Sequence, residues 1–550
     1  MKPLPIPHPT KLDLPSKFKE WRPGQEEAIQ AFLSRSEVNN VIVQPPGSGK
    51  SLSYMAAAWM TGRSTVVLTS TKALQDQLTH DFGETKTLDI RGQSSFKCDI
   101  DPKHTVDMAP CRTGDYDCEF LKEGEYGEPP SCEYFRRLYD AKRKQIIVTN
   151  YYWWFSYIKY LKGTVWDIGQ FDAIVLDEAH NALDSLYSFL QIRLEVARAE
   201  TVTREEAPQV KAGEEEWSSW AARVLPKVTD ALARARERLK GGEFTPESYD
   251  KARNLYRLQQ EINAISQIHG EWAIHEVGDR IHLDPTHLDD ETTHNYLFGD
   301  IKYRYLTSAT IRPHTIKMLG IKDYAFLEGD SVFPVERRPV THIKTLKVDY
   351  KTPVPRMVDT WVKTIDDILK HRRDRKGIIH TVSYDRAKLL AQHSEYKDFM
   401  YLNKSWNLTE IVQAFKETHV PAILVSPAVT QGYDFPYEEC QYQIIGKVPF
   451  PHAKDPAMVA RAEDDPLLPH YMAMQKMVQM SGRGMRAEDD FCEVFIVDDH
   501  IEWFLKRHRA LAPEWWHESI TLGRQVPPRP SYRLDGSVLP ADSGEELNYV

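Results

Sequence analysis

Residues 41–51 constrain the fold more strongly than any other part of the chain. A β-branched run, Val41-Ile42-Val43, leads directly into Gln44-Pro45-Pro46-Gly47-Ser48-Gly49-Lys50-Ser51. Because glycine adopts backbone conformations that other residues avoid, this pattern predicts a tight loop between a buried strand and a helix. The backbone N–H groups of such a loop and the helix N-terminus together favour a bound phosphate group. We therefore expect an α/β domain with a phosphate site at the edge of its sheet.

Short apolar runs recur along the chain, separated by helix-length segments. They lie at 41–43, 65–69, 145–149 and 173–176, and a second set begins after Val332 at 377–380, 422–426 and 494–497. Runs of this kind are typical of strands in a buried parallel sheet. A chain of 550 residues is too long for one core, so its length predicts about three or four domains, at least two of them α/β.

Two insertions interrupt the first α/β pattern. The segment 86–144 contains four cysteines and has little helical or strand periodicity, whereas 185–270 has apolar residues at helical spacing. Within the second segment, Gly241-Gly242 predicts the end of one helix, and Thr245-Pro246 predicts the start of the next. We therefore predict a helical hairpin. Pro226 lies in its first helix and is expected to kink that helix. The segment 512–550 is rich in proline and polar residues, which predicts a loosely attached C-terminal extension.

Composition excludes several classes of protein. Hydrophobic residues are 41% and charged residues 27% of the chain, as in an ordinary globular protein rather than a disordered one. No apolar run approaches the length of a membrane span, and the proline-rich start does not resemble a secretory signal, so we expect a reducing compartment, cytoplasmic or nuclear. The net charge of −10 argues against a globally basic nucleic-acid coat, but it permits a basic groove on an acidic body.

The segment 44–51 resembles a Walker A loop, although Gln44 replaces the usual first glycine. In such a loop Pro46, Gly47, Ser48 and Gly49 shape the phosphate cradle. Lys50 reaches the β- and γ-phosphates, and Ser51 ligates Mg²⁺. The alternative is an ordinary glycine-rich turn, which the remaining motifs disfavour.

Charged residues elsewhere complete a candidate nucleotide site. Asp177 and Glu178 follow the strand-like run 173–176, where one carboxylate can hold Mg²⁺ and the other can activate a water molecule. Arg483 and Arg486 lie three residues apart and can stabilise charge on a phosphoryl group in transfer. The alternatives are an acidic turn and two surface arginines. Near the start, Arg22 and Gln25 precede the first strand, and the Gln25 amide can pair with an adenine edge or simply cap a helix.

Four of the six cysteines, Cys98, Cys111, Cys118 and Cys132, fall within 35 residues, which suggests a shared ligand. They are separated by twelve, six and thirteen residues, and zinc sites usually contain pairs only two to four residues apart, so zinc is disfavoured. Four unligated thiols remain an alternative at this point. Cys440 and Cys492 are predicted to be structural.

An aromatic run at 151–157 is predicted mainly to pack in the core, with one or two rings, Tyr151 among them, free to stack on bases.

Together these residues resemble the superfamily 2 helicases, and specifically the XPD/DinG type of iron–sulfur helicase with a DEAH box. The matching motifs keep the family order over roughly residues 20–500. They are residues 21–25 (Q-like), 44–51 (I), 69–74 (Ia), 177–180 (II), 307–310 (III), 431–435 (V) and 479–486 (VI).

The resemblance implies two RecA-like motor domains, with an iron–sulfur domain and a helical arch domain inserted in the first. It places the first motor domain at 1–85, 145–184 and 271–331, the iron–sulfur domain at 86–144, the arch at 185–270, the second motor domain at 332–511 and an extension at 512–550. It also assigns the four clustered cysteines to a 4Fe–4S cluster.

The resemblance further implies an ATP- and Mg²⁺-dependent enzyme that acts as a monomer on single-stranded, forked or duplex DNA. It adds Asp434 and Gln479 to the nucleotide-binding residues. It makes Ser70, Thr71 and Thr381 candidates for contact with the DNA backbone. Translocation from 5′ to 3′ is likewise an implication of the family. Two other functions stay open: a nucleic-acid-stimulated ATPase that remodels protein–DNA or RNA complexes without unwinding, and a subunit that binds ATP as a switch.

Overall fold

The computed structural model describes residues 5–12, 14–33, 39–70, 72–83, 86–113, 118–122, 128–240, 245–429, 433–485, 490–528, 532 and 537. In chain order, the strands of these residues are β1 Asn39–Val43, β2 Thr65–Thr69, β3 Thr87–Asp89, β4 Ile146–Asn150, β5 Ala173–Asp177, β6 Ile192–Glu195, β7 Trp272–Val277, β8 Arg280–Pro285, β9 Tyr303–Ser308, β10 Ala325–Glu328, β11 Val340–Ile343, β12 Lys376–His380, β13 Met400–Leu402, β14 Ala422–Ser426, β15 Tyr442–Ile445, β16 Glu493–Ile496 and β17 Ile520–Arg524.

The α-helices of the same residues are α1 Gln25–Leu33, α2 Lys50–Thr61, α3 Lys72–Phe82, α4 Glu133–Ala141, α5 Tyr151–Tyr160, α6 Ala182–Leu190, α7 Val196–Thr203, α8 Glu214–Lys240, α9 Pro246–Ser266, α10 Asp290–Leu297, α11 Pro313–Met318, α12 Val354–Arg356, α13 Lys363–Lys370, α14 Tyr384–His393, α15 Leu408–Glu417, α16 Pro456–Asp464, α17 Leu468–Ser481, α18 His500–His508 and α19 Glu514–His517. A π-helical turn, Met357–Val362, joins α12 to α13. Within the described residues, no helix is both long enough and apolar enough to cross a membrane.

The first motor domain is built on a seven-stranded sheet in the order β10-β1-β9-β5-β2-β4-β3, with every strand pair parallel. The apolar strands are buried because helices cover both faces, as the continuous apolar runs predict. β1 and β5 both end at the same edge of this sheet, and that edge carries the phosphate loop and the acidic pair. The predicted α/β class and parallel sheet are confirmed.

The second motor domain has a parallel sheet of its own, in the order β13-β14-β12-β15-β16-β11-β17. Its last strand comes from the segment that the sequence predicts to be loosely attached. Ile520–Arg524 pairs with β11, and Trp516 just before it is 1% exposed. The prediction is wrong for 512–524, because a short edge strand and two buried tryptophans anchor a segment whose composition is otherwise typical of a linker.

The cysteine-bearing insertion starts later than predicted. Thr87–Asp89 pairs with β4 in the first motor sheet, so the boundary at residue 86 falls inside that domain. Beyond it the chain forms short 3-10 turns before α4, in agreement with the lack of periodicity. The apolar face of α4, with Phe135 and Leu138, packs into the core of the first motor domain.

The arch insertion contains the predicted hairpin of α8 and α9, with Pro226 inside α8. Thr245 caps α9 as expected, through a reciprocal pair of hydrogen bonds with Ser248. A three-stranded antiparallel sheet, β6-β8-β7, packs under the hairpin and was not predicted. The arch boundaries at 185 and 270 are therefore too early: α6 packs in the first motor domain, whereas β7 and β8 belong with the arch.

Candidate nucleotide site and nucleic-acid interface

The phosphate loop joins β1 to α2, as the sequence predicts. Gly47 and Gly49 have φ angles of +77° and +76°, a region in which side chains other than glycine are strained. A Cβ atom on Gly47 would lie 2.0 Å from the ring of Phe333, a residue at the entrance to the second motor domain. The glycines are therefore required both by the loop conformation and by close packing.

Two residues of the Q-like motif hold this loop from outside. The Gln25 Nε2 donates to the carbonyls of Ser48 and Gly49, both at 3.1 Å, and its Oε1 accepts from the Arg22 amide at 2.8 Å. The Arg22 guanidinium donates to the Gly47 carbonyl at 2.7 Å. Gln25 is fully buried. Its amide is thus committed to the loop backbone, and the structure does not support the expectation that it pairs with an adenine.

The acidic pair lies at the end of β5, opposite the loop. The Lys50 Nζ donates to the Glu178 Oε1 at 2.6 Å. Glu178 has φ +50°, an uncommon value for a residue with a side chain, and such strain is concentrated at functional sites. This backbone conformation turns the carboxylate toward the loop. Lys50, Asp177 and Glu178 therefore form one constellation, as predicted.

The two carboxyl groups are held in different electrostatic states. Burial raises the pKa of Asp177, and the nearby charge of Glu178 adds to this effect although Lys50 opposes it. Burial acts on Glu178 too, but Lys50 and His180 outweigh it and lower the pKa of Glu178. The Tyr54 hydroxyl donates to the Asp177 Oδ2 at 3.4 Å, whereas the Asp177 Oδ1 is buried without a hydrogen-bond partner. An unpaired buried carboxylate oxygen fits a role in holding a hydrated cation.

The second motor domain faces this pair through motif VI, which begins in the last turn of α17. Arg483 lines the same cleft as Lys50 and Glu178, and its positive charge lowers the pKa of Glu178. The Arg483 guanidinium donates to the Tyr433 carbonyl at 3.2 Å and lies 3.9 Å from the Asp434 carboxylate. The predicted Arg486 lies outside the described residues.

A hydrogen-bond network that was not predicted connects the two motor domains through His180. The His180 Nδ1 and the Ser308 Oγ are 2.6 Å apart, and Ser308 also donates to the Glu178 Oε2 at 3.3 Å. On its other side His180 contacts the Gln479 amide. Burial lowers the pKa of His180 to about 4, so the ring is neutral at pH 7. These residues belong to motifs II, III and VI, and that membership was the available signal. Only the fold shows that they touch.

A groove beside the nucleotide cleft is lined by motif Ia, the cysteine-bearing insertion and α5. Tyr151 is buried, and its hydroxyl donates to the Asp177 carbonyl at 2.9 Å, so its ring has no free face for a base. That prediction is wrong, because α5 turns Tyr151 toward the sheet. Tyr152, one position later, is 50% exposed in the groove, where Ser70 also lies.

The remaining candidate DNA contacts are Thr71 and Thr381. Thr71 lies outside the described residues. Thr381 is fully buried, and its hydroxyl donates to the Ser383 carbonyl at 3.1 Å, so its side chain is not presented to a DNA backbone in this conformation.

Comparison with known proteins agrees with this geometry. The model of the helicase C-terminal domain matches residues 367–519, and that of the type III restriction enzyme res subunit matches residues 18–202. The two matches lie in different parts of the chain, and each covers less than half of it. A solved structure titled XPD_Helicase superposes with a TM-score of 0.60 at 16% identity, over 90% of this chain and 98% of that one. Xpd4 of S. tokodaii gives a TM-score of 0.56 at 13% identity, over 90% and 98%. No curated protein sequence matches the chain significantly.

The XPD-like fold brings the four clustered cysteines into one neighbourhood. Burial raises the pKa of the Cys111 thiol to about 12, and the negative charges of Cys118, Cys98 and Cys132 act in the same direction. Burial also raises the pKa of the Cys118 and Cys132 thiols. Without a ligand these thiols are therefore protonated at neutral pH. Cys440 and Cys492 are fully buried elsewhere in the second motor domain, as predicted.

Backbone N–H groups point at two of the clustered sulfurs. The amides of Phe120 and Leu121 approach the Cys118 sulfur, and those of Tyr134 and Phe135, at the start of α4, approach the Cys132 sulfur. Hydrogen bonds of this kind favour the thiolate over the thiol.

Proposed function

We propose that this protein is an ATP-dependent DNA helicase that translocates on single-stranded DNA from 5′ to 3′ and unwinds duplex DNA. The observation that carries the proposal is the cleft itself, in which Lys50 and Glu178 of one motor domain face Arg483 of the other. A site divided between two domains can convert nucleotide binding into domain movement. DNA as the substrate and the polarity both rest on the resemblance of the motifs to those of XPD/DinG helicases.

In the proposed cycle the incoming triphosphate competes for Lys50 and separates it from Glu178. Lys50 then binds the β- and γ-phosphates, and Glu178, whose lowered pKa keeps it ionised, orients and deprotonates the attacking water. Ser51 and Asp177 would hold Mg²⁺, which when bound neutralises charge on the phosphates. Arg483 stabilises the charge on the phosphoryl group. Gln479 contacts His180 and so couples the second motor domain to the acidic pair of the first. Asp434 lines the same cleft, 3.9 Å from Arg483, and would contribute to nucleotide binding.

We further propose that Cys98, Cys111, Cys118 and Cys132 hold a 4Fe–4S cluster. The residues fit such a group because the thiols are grouped, partly buried and approached by backbone N–H groups, which tune cluster sulfurs. Among the described residues, which include all four cysteines, no three of their sulfurs lie within 4.8 Å of one another. Zn–S bonds of about 2.3 Å in a tetrahedron would bring the sulfurs to about 4 Å, so a polynuclear cluster fits better than one zinc ion.

The cluster would supply structure rather than catalysis, because the described residues of the insertion before α4 form short turns that cannot make a core of their own. A rigid insertion beside the groove can act as a wedge when the motor draws one strand past it. The exposed ring of Tyr152 and the hydroxyl of Ser70 lie where that strand would pass.

Strand displacement tests the proposal. The purified chain is incubated with ATP and Mg²⁺ on forked DNA with either a 5′ or a 3′ single-stranded arm. We expect displacement of the fork with a 5′ arm, and loss of activity with non-hydrolysable nucleotide. ATPase activity stimulated by single-stranded DNA without displacement would instead favour the second candidate, an ATPase that remodels protein–DNA or RNA complexes.

A further inference from the structure

A cluster of two histidines and one aspartate lies on the small antiparallel sheet at the base of the arch. His275 on β7 stands directly opposite His282 on β8, and Asp284 follows two residues later on the same face. One donor atom from each of the three lies within 4.8 Å of the other two. The opposite face of this sheet, with Ile281 and Leu283, packs under the arch helices. The three polar side chains thus share the face turned away from the arch core.

The contacts of His275 and Asp284 leave donor atoms that a ligand could still take. The His275 Nδ1 is buried without a hydrogen-bond partner and lies 3.6 Å from the Asp284 Oδ2. Buried polar atoms in folded proteins nearly always have a partner, so an unpaired ring nitrogen favours a bound ligand. The other carboxylate oxygen of Asp284 accepts from the Gln191 amide. An outer hydrogen bond of this kind orients a metal-binding carboxylate.

We propose that His275, His282 and Asp284 bind a divalent first-row metal ion, with zinc as the expected occupant, at a site separate from the cysteines. Two imidazoles and one carboxylate form a known ligand set for zinc and iron, with a fourth position left for water. The ion would connect β7 to β8 where the chain enters the arch at Gln191 and leaves it at Pro285. The base of the arch also touches the second motor domain, because Arg461 donates to the Pro285 carbonyl at 2.9 Å. The site is independent of the proposed helicase activity.

The positive charges of Arg193 and Arg280, both near His282, oppose this assignment. Arg193 on β6 is the register partner of His282, and its Nε donates to the Gln191 Oε1 at 2.8 Å. The guanidinium is therefore held against the same amide that orients Asp284. Replacing this charge in Arg193→Gln should tighten metal binding, whereas a site without a metal would show no change.

Equilibrium dialysis of the full chain against zinc, after treatment with a chelator, tests the proposal. We expect one zinc per chain beyond any bound at the cysteines, and a loss of affinity of about tenfold or more in His275→Gln and His282→Gln. His287→Gln, which alters an exposed histidine outside the trio, is the matched control and should keep the zinc. The zinc should also persist in Cys111→Ser.

X-ray absorption at the zinc edge gives a second readout that does not depend on any variant folding. Nitrogen and oxygen neighbours at about 2.0–2.1 Å, without sulfur at about 2.3 Å, are expected. The proposal would be overturned by any of three results: zinc with sulfur neighbours only, zinc affinity unchanged in both histidine variants, or no zinc uptake at micromolar free zinc.

Discussion

Lys50 donates to the carboxylate of Glu178 at 2.6 Å, and so joins the phosphate loop to the acidic end of β5. In this arrangement the two residues that must act separately on a nucleotide neutralise one another. The pair is partly buried, with side-chain exposures of 16% and 28%, so salt screens it less than it would an exposed pair. The nucleotide therefore has to compete with Glu178 for the lysine before hydrolysis can begin.

Glu178→Gln should abolish turnover while ATP still binds. The amide cannot accept the proton of the attacking water, and loss of a general base costs about 10²–10⁴-fold in rate. Steady-state ATPase assays with single-stranded DNA, together with nucleotide binding measured in parallel, separate the two effects. Glu410→Gln, an exposed position on α15, is the control. Turnover near the wild-type rate would contradict the assignment of Glu178 as the base.

His180→Ala should uncouple DNA binding from hydrolysis. The ring connects Glu178 and Ser308 to Gln479 across the domain interface, and it is neutral at pH 7. We expect the DNA-stimulated rate to fall by about tenfold or more, the scale set by one or two lost hydrogen bonds, with basal ATP binding retained. The ratio of the ATPase kcat with DNA to that without DNA measures the loss of stimulation. Equal losses in both rates would point to a merely structural role.

Cys111→Ser should remove the cluster and unwinding while part of the ATPase activity remains, because the motor cleft is built from other segments. Iron analysis and visible absorption of anaerobically purified protein measure the cluster, with about four irons per chain expected in the wild type. Cys440→Ala, at a buried cysteine away from the insertion, should keep the iron. Full unwinding by a cluster-free variant would be inconsistent with a wedge that needs the cluster.

Tyr152→Ala should weaken binding of single-stranded DNA. Loss of one stacked ring costs about 1–3 kcal/mol, or about 5- to 150-fold in Kd. Fluorescence anisotropy with an oligonucleotide tests this, with Tyr350→Ala as control because that ring is 83% exposed outside the groove. An unchanged Kd for Tyr152→Ala would place the DNA elsewhere.

Acid should destabilise the second motor domain in part through His380. Burial lowers the pKa of His380 to about 4, with a further contribution from Arg483 and opposition from the hydrogen bond to Gln443. Between about pH 6.5 and 4 the unfolded chain therefore binds more protons than the folded one, so the free energy of unfolding falls as the pH falls, by about 3 kcal/mol in all. Denaturant unfolding at several pH values measures the slope. The free energy of unfolding should depend less on pH in His380→Gln than in His287→Gln. An identical slope in the two variants would show that His380 does not cause the loss of stability in acid.

Much of the site was predictable because its parts are local. The loop glycines, Lys50 and the acidic pair each follow directly from a short strand, so position in the chain alone places them at one sheet edge. The same holds for the capped hairpin of the arch, since Thr245 and Pro246 act on the adjacent turn.

The failures concern residues whose surroundings are set by distant segments. Tyr151 and Tyr152 are neighbours with the same chemistry, and only the packing of α5 decides that one is buried and the other exposed. Gln25 meets the loop over a separation of more than twenty residues. The strand 520–524 is too short and too exposed to be recognised without β11 beside it.

The sequence by itself determined the α/β class, the two motors and the chemistry of the phosphate loop, because strand periodicity and glycine conformation act over a few residues. The tertiary structure alone decided which groups meet: Glu178 with Lys50, His180 with Gln479, and the four cysteines with one another. It also decided which of them lose water, and burial sets their pKa values. Those contacts join segments far apart in the chain, and their energies depend on the whole fold rather than on any local pattern.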